Sequence, residues 1–564
     1  MNRAAASRRR FAPVAPGAWA RTLRSPWTWL SLLAFALLAL FLIYPLLHIL
    51  GSSVLARSAD GASGWATLLA EPRYLKAISN TVVLGLVVML FSTLIGVPLA
   101  YLTARHDYWG KGFVAILPLI TLVIPEVIAA QTWLMILGNN GFVTRTLQDM
   151  GFDPPSFYGW PGLVLVMTFS YYAYVYIGTL AAIRGFDVQL EEAAQSLGSS
   201  PAMSRIKVML PVVLPAVLAS SVLVFTLVTG NFATSMILGH QVELLSVLTY
   251  QATVSETGAN PLMQSTLATS SIALVMVALF VQRWIVARGR YEIVQGRPAP
   301  VTRLAGARAV LLAGGAVFCV ALSMLPLAML VVGAFTQARG PVMRWGEFTL
   351  ANLERALLRD AEPVINTIVY AGVATLIGLA FSTLVSYLIV KKRNAITPLL
   401  DYMASLPLAL SGTVIGIGLL MSFGKGPLLL SGSAAIIVLA YLIRRLSFGI
   451  RNASSTLYNI PDSIEEASIS LGVPPLRSFV KVVLPLMIPA IAAAGVLTWT
   501  TTVAELSASV IVYSPGRETM PIQVFRLIDS NLMALASAYG LLLIAVILVP
   551  ILVATKGFKL KLFA

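Results

Sequence analysis

The sequence predicts an all-α integral membrane protein of about twelve transmembrane helices, arranged as two parallel six-helix repeats. Three observations lead there. Of its 564 residues, 58% are hydrophobic and only 11% are charged, where soluble domains carry about 25% charged residues; such a chain cannot present a water-facing surface all round. Apolar runs of about 20 residues, long enough to cross the hydrocarbon layer as a helix, recur twelve times. The polar stretch EEAAQSLGSSPAMSRIKVMLP at 191–211 returns as EEASISLGVPPLRSFVKVVLP at 465–485, and 14 of the 27 positions that start at Glu191 and Glu465 are identical.

The first six runs fall near 28–52, 77–104, 112–137, 161–183, 208–238 and 264–286, and the second six near 308–334, 363–390, 396–423, 429–449, 482–512 and 535–555. Each must be helical, because an open strand in lipid leaves backbone groups unpaired. The two longest contain Pro215 and Pro489, which predict a kink or an extension beyond the bilayer. The first run is too long for the core of a cleaved signal peptide and reads as an uncleaved span.

With the N-terminus in the cytoplasm, 28 of the 39 basic residues fall on the cytoplasmic side, as the positive-inside rule requires. That count includes Arg105, Lys111, Lys391, Lys392 and five residues from Arg444 to Lys481. Both termini are then cytoplasmic, and the net charge of +16 needs no nucleic acid partner. Cys319 is the single cysteine, which excludes an intramolecular disulfide and a cysteine-built metal site. His48, His106 and His240 lie far apart without ligand spacing, so no metal site is expected.

The repeat extends beyond the polar stretch. Residues 78–105 align with 364–391 at an offset of 286, matching Asn80, Thr81 and Tyr101 with Asn366, Thr367 and Tyr387, whereas the polar stretches align at 274. Twelve additional residues therefore belong to the first half, placed within 138–162. Six spans per half, both starting inside, make the repeats parallel about an axis along the membrane normal. The organisation is a cytoplasmic segment 1–27, a first repeat 28–287 with a cytoplasmic loop at 187–207, a linker 288–307, and a second repeat 308–564 with a loop at 461–481.

Each loop reads as a short helix with acids in its early turns, where the helix dipole favours them, closed by a glycine at the C-terminal cap. The candidate residues are Glu191, Glu192, Ala193, Ala194 and Gly198 in the first copy and Glu465, Glu466, Ala467, Ser468 and Gly472 in the second. The small residues leave a face that another surface can approach closely. The pattern Glu-Ala-Ala, a glycine four positions on and a hydrophobic-x-Leu-Pro ending resembles the cytoplasmic loop of permease subunits of ATP-binding cassette importers. Ser468 in place of the second alanine is the one departure.

That resemblance implies a type I importer permease fold in the bacterial cytoplasmic membrane, with both permease domains fused in one chain. It implies that each loop is a coupling helix docked on one of two separate ATPase subunits, which would hold ATP and Mg, and that an external solute-binding protein delivers the cargo. No cofactor is expected in this chain itself. Consistently, none of the ten lysines is followed by Ser or Thr, so no Walker A phosphate loop is present and the chain is not itself an enzyme.

An ionisable residue at mid-helix costs about 2.5 to 3.5 kcal/mol on insertion scales and is a site candidate. Glu505 aligns with Asn231 at the 274 offset, which puts a polar residue at one depth in both halves, beside the translocation pathway. Glu126 in LVIPEVIAA is a third pathway candidate, read as nearer the outer surface. The tyrosine run SYYAYVYIG at 170–178 reads as packing. Together with 440–468 and ELSASVIVYSP, it is similar to fused permeases of the ferric-iron type, a branch related to thiamine, 2-aminoethylphosphonate and polyamine importers; ferric iron is the expected cargo. A major-facilitator-type secondary transporter shares the six-plus-six topology, but carries its charged loop motif between spans two and three, where this chain has only ARHDYWGKG. A membrane enzyme would need a cluster of His, Asp or Cys at membrane depth, and the sequence has none.

Overall fold

A backbone inside a bilayer has to satisfy its own hydrogen bonds, and this chain does so with helices. The structure, a computed structural model, describes residues 25–58, 61–254, 260–288, 297, 299–340 and 342–557. The arginine-rich segment 1–24, most of 288–298 and the tail from 558 lie outside the described residues.

In the first half α1 is Pro26–Leu55, α2 Pro72–Arg105, α3 Lys111–Thr121, α4 Glu126–Leu137, α5 Trp160–Arg184, α6 Val188–Ser196, α7 Pro201–Thr229 and α8 Pro261–Arg288. In the second, α9 is Gly306–Ala334, α10 Glu362–Val390, α11 Thr397–Ser405, α12 Gly412–Phe423, α13 Ala434–Tyr458, α14 Asp462–Ser470, α15 Pro475–Val503 and α16 Met533–Gly557. Among the described residues nine helices are long and apolar enough to cross a membrane. Two further runs are bent pairs, α3 with the segment from Glu126 by 113° and the segment Thr397–Ala409 with α12 by 114°. The remaining run is α13, which has the length of a span but carries Arg444, Arg445 and Arg451.

Three expectations need correction. The runs 208–238 and 482–512 are not single spans: α7 ends at Thr229 and α15 at Val503, and the chain turns into the short helices Ala233–Leu238 and Ser509–Val512. Pro215 and Pro489 lie inside α7 and α15, which continue past them. Instead, π-helical turns at Arg205–Met209 and Phe479–Val483 precede Pro211 and Pro485, shifting the hydrogen-bond ladder where proline cannot donate. Arg444 and Arg445 lie in the body of α13 rather than in a cytoplasmic loop.

The duplication is visible in the packing. In the first half α2 packs along α5 with α7 against both, and α10, α13 and α15 repeat that arrangement. Gly96 makes the first contact possible, since a Cβ there would stand 2.9 Å from the Tyr172 carbonyl oxygen and the Tyr176 nitrogen. The first span of each half leans on the bent span of the other: α1 packs on α12, and α9 on α3 and α4. One hydrophobic core therefore runs through both halves, joining Leu42, Leu84 and Val166 to Tyr441, Ile522 and Ile547. Helix ends match at an offset of 286 up to Leu137 and Phe423, and at 274 from Trp160 and Ala434. The twelve extra residues thus fall in 138–159, where the first half adds the helix Phe142–Asp149.

Candidate functional site

The breaks in the helices build the site. A helix that starts afresh after a break exposes amide groups that need partners, and Asn231 and Glu505 supply acceptors in matching ways. Asn231 Oδ1 accepts from the Thr234 amide at 2.9 Å, and Glu505 Oε1 accepts from the Ala508 amide at 3.3 Å. Both residues are buried. Their polarity, legible in the sequence, satisfies an amide at the start of each short helix.

From there the halves diverge. Asn231 Nδ2 donates to the Tyr171 hydroxyl at 2.7 Å, and that hydroxyl donates to Glu126 Oε1 at 2.6 Å. At the corresponding place of the second half stands Arg445, whose Nη2 donates to Glu505 Oε2 at 2.6 Å. Arg444 Nε lies 3.5 Å from the same oxygen, and its Nη1 donates to the Leu410 carbonyl. Glu126 opens α4 just after the break at 122–125, and Gly412 opens α12 in the same way. A Cβ at Gly412 would stand 2.9 Å from Glu505 Oε1, so in the second half the carboxylate arrives from the neighbouring break.

These groups surround one cavity of about 160 Å³ lined by Glu126, Tyr171, Tyr174, Arg444, Arg445 and Glu505, among others, from both halves. Its size is similar to that of the roughly 150 Å³ cavity that admits a benzene-sized guest. Glu126, expected nearer the outer surface, lines the same cavity as Glu505, and Asn231 reaches it through Tyr171. Sequence reading missed Arg444, Arg445 and Tyr171. The signal was there: at the 274 offset Arg444 and Arg445 align with Ser170 and Tyr171, residues of an expected span. No group of three or more His, Cys, Asp or Glu suited to a metal ion occurs among the described residues.

The two polar loops form the second feature. In α6 the Asp187 side chain accepts from the Gln189 amide, and Gly198 and Gly472 close the two helices with φ of 90° and 86°, where only glycine sits without strain. The paired acids separate by role. Glu191, 5% exposed, receives Arg105 Nη2 from the end of α2. Glu465, 6% exposed, accepts from the Tyr387 hydroxyl at 2.6 Å and pairs with Lys392 at 2.7 Å. Both are therefore spent inside the chain, holding their loops to the ends of α2 and α10.

Glu192, Ala193, Glu466 and Ala467 face outward, while Ala194 and Ser468 are half-buried. Leu197 and Leu471, just ahead of the glycines, are 89% and 85% exposed. Each loop thus presents one exposed leucine at the same place.

A duplicated helical bundle with broken spans around a polar cavity, and with two matched loops at its surface, is the membrane subunit of a transporter. The model of the family described as "Binding-protein-dependent transport system inner membrane component" matches twice, at residues 93–291 and 374–558. The chain belongs to that family: it is a multi-pass inner-membrane permease of an ATP-binding cassette importer, with two permease domains fused. The ferric transport system permease protein FbpB of Actinobacillus pleuropneumoniae is 25% identical over 92% of this chain and 76% of its own length. A probable ABC transporter permease of Sinorhizobium fredii is 29% identical over 94% of this chain and 96% of that protein. A putative 2-aminoethylphosphonate transport system permease of Salmonella paratyphi A is 28% identical over 40% of this chain and 84% of its own length. Among solved structures, a bacterial alginate ABC transporter chain aligns with a TM-score of 0.39 at 21% identity, over 50% of this chain and 99% of that one.

Proposed function

We propose that this chain moves ferric iron inward through the cavity between its two halves, driven by two separate ATPase subunits that bind ATP and Mg and dock on the loops of α6 and α14. The matched exposure of Glu192, Leu197, Glu466 and Leu471 carries the coupling part of this reading. A pair of loops with the same acid, the same small residue and the same outward leucine suits two copies of one partner. The iron reading draws support from relatives named as ferric transport permeases that align over most of this chain. Both termini and both loops then face the cytoplasm, and a solute-binding protein delivers iron on the opposite face.

Closure of the ATPase pair would push α6 and α14 together. Glu191 through Arg105, and Glu465 through Lys392 and Tyr387, would carry that movement into α2 and α10. The packing of α2 on α5 and of α10 on α13 leads to Tyr171 and Arg445 at the cavity.

The test is uptake of radioactive iron by cells that lack the chromosomal copy and express this chain or its variants, with ATP hydrolysis measured on the purified complex. Iron uptake that depends on the chain and is uncoupled from hydrolysis by Leu197→Asp or Glu192→Lys supports the proposal. Iron uptake unchanged by deletion, with loss of 2-aminoethylphosphonate, thiamine or polyamine uptake instead, overturns the iron assignment. Full coupling in both variants overturns the docking surface.

A further inference from the structure

The cavity is not built as a cage for a bare metal ion. Two guanidinium groups line it, and a bare trivalent cation beside them would be repelled. Each guanidinium carries five N–H donors. The partners shown are the Leu410 carbonyl and, through a long contact, Glu505 for Arg444, and the Thr501 carbonyl and Glu505 Oε2 for Arg445. Arg445 Nε is buried without a hydrogen-bond partner among the described residues, and Arg444 Nε has only the long 3.5 Å contact to Glu505 Oε2. Buried donors of this kind ask for an acceptor, and the planar guanidinium fork matches the paired oxygens of a carboxylate or phosphate.

The wall from the first half has the opposite character. Among the described residues Glu126 accepts a hydrogen bond from Tyr171 and has no cationic partner within ion-pair distance. Tyr174 completes that wall. Glu505 neutralises one arginine, which leaves one positive charge on the second half's wall facing the carboxyl group of Glu126.

Resting on the reading of this cavity as the pathway, we propose that it is a dipolar site. Arg444 and Arg445 hold a small oxyanion (phosphate, phosphonate or carboxylate) while Glu126 and the tyrosines face the cation that the oxyanion accompanies. Iron then crosses bound to an oxyanion, not as the bare ion. The pseudo-twofold design supplies the polarity: Tyr171 and Arg445 occupy matching places, so one duplicated position became neutral in one half and cationic in the other. An aminoalkyl phosphonate, which joins an ammonium group to an oxyanion, presents the same chemistry in one molecule.

Two measurements separate these possibilities. The full chain in lipid nanodiscs is titrated with inorganic phosphate, following intrinsic tryptophan fluorescence. Saturable binding, weakened at least tenfold by Arg444→Gln, restored in part by Arg444→Lys and unaffected by Lys425→Gln at an exposed position, supports the oxyanion site. Absent binding, or binding equal in Arg444→Gln, overturns it.

In proteoliposomes of the assembled importer, radioactive iron and radioactive phosphate are followed together. Phosphate entering in fixed ratio to iron supports the proposal. Iron entering without any oxyanion at an unchanged rate overturns it while leaving the iron importer intact. Uptake of 2-aminoethylphosphonate alone, with no iron, retains the dipolar site and overturns the iron assignment.

Discussion

The neighbouring acids Glu191 and Glu192 should respond in opposite ways to the same substitution. Alanine at 191 leaves Arg105, 8% exposed, charged and without its carboxylate; the remaining hydrogen-bond partner of Arg105 Nη2 among the described residues is Met209 Sδ at 3.3 Å. Removing one member of a buried pair costs about 3–5 kcal/mol, two decades or more of an equilibrium constant at about 1.4 kcal/mol per decade. A chain of this size does not unfold in one step, so the readout is local. Amide exchange over 188–209 should accelerate at least a hundredfold in Glu191→Ala, up to the limit of the unprotected chain. Glu192 is exposed and makes no ion pair among the described residues, so Glu192→Ala should change local stability by no more than about 0.5 kcal/mol while reducing ATPase-coupled transport. Equal exchange in the two variants, or unchanged exchange in Glu191→Ala, would refute the division of roles.

Other outcomes follow from the same geometry. Gly198→Ala and Gly472→Ala meet no atom within 4 Å, so their cost is the left-handed backbone alone, about 1–2 kcal/mol each, read as faster exchange at each loop with the spans unaffected. Glu505→Gln leaves Arg445 and Arg444 facing a neutral amide in the interior, and the purified chain should lose thermal stability, partly recovered in the double variant with Arg445→Gln; equal melting of all three would deny the pair its role. His106 sits in β1 (His106–Asp107), which pairs in parallel with β2 (Thr302–Arg303) of the linker, and its Nδ1 lies 2.9 Å from Thr302 Oγ1. Burial, with added repulsion from Arg205, Arg105 and Lys111, lowers its pKa, against the opposing Thr302 hydrogen bond. A histidine depressed in the folded state stabilises the contact above its unfolded pKa of about 6.5 and loses that contribution as pH falls through the folded value. With the intrinsic pH dependence of amide exchange divided out, protection in 299–305 should therefore fall between pH 7.5 and 5.5 in the wild type and stay flat in His106→Asn.

Much of the fold was legible because its causes are local or periodic. The twelve apolar runs follow from the thickness of the bilayer, and the two offsets located the insertion to within a few residues. The loop motifs were legible because polar residues stand out in an apolar chain. What misled was charge in α13: Arg444 and Arg445 read as cytoplasmic because a lone arginine at membrane depth is so unfavourable. Their partner, Glu505, lies 60 residues further on, and no local pattern announces that pairing. The tyrosine run read as packing for a similar reason, since Tyr171 acquires a polar role only when Glu126 and Asn231 approach from two other breaks.

By itself the sequence determined the helical membrane fold, its duplication, the paired surface loops and the polar residues at Asn231 and Glu505, all of which rest on composition, hydrophobic length and repeat spacing. Only the tertiary structure decided that Glu126 and Glu505 face one cavity, that two arginines share it, and that Glu191 and Glu465 are spent inside the chain while Glu192 and Glu466 face outward. Those outcomes depend on which helix stops where and what packs against the break. A bilayer enforces helices one segment at a time, but ion pairs between distant segments exist only once the segments have met.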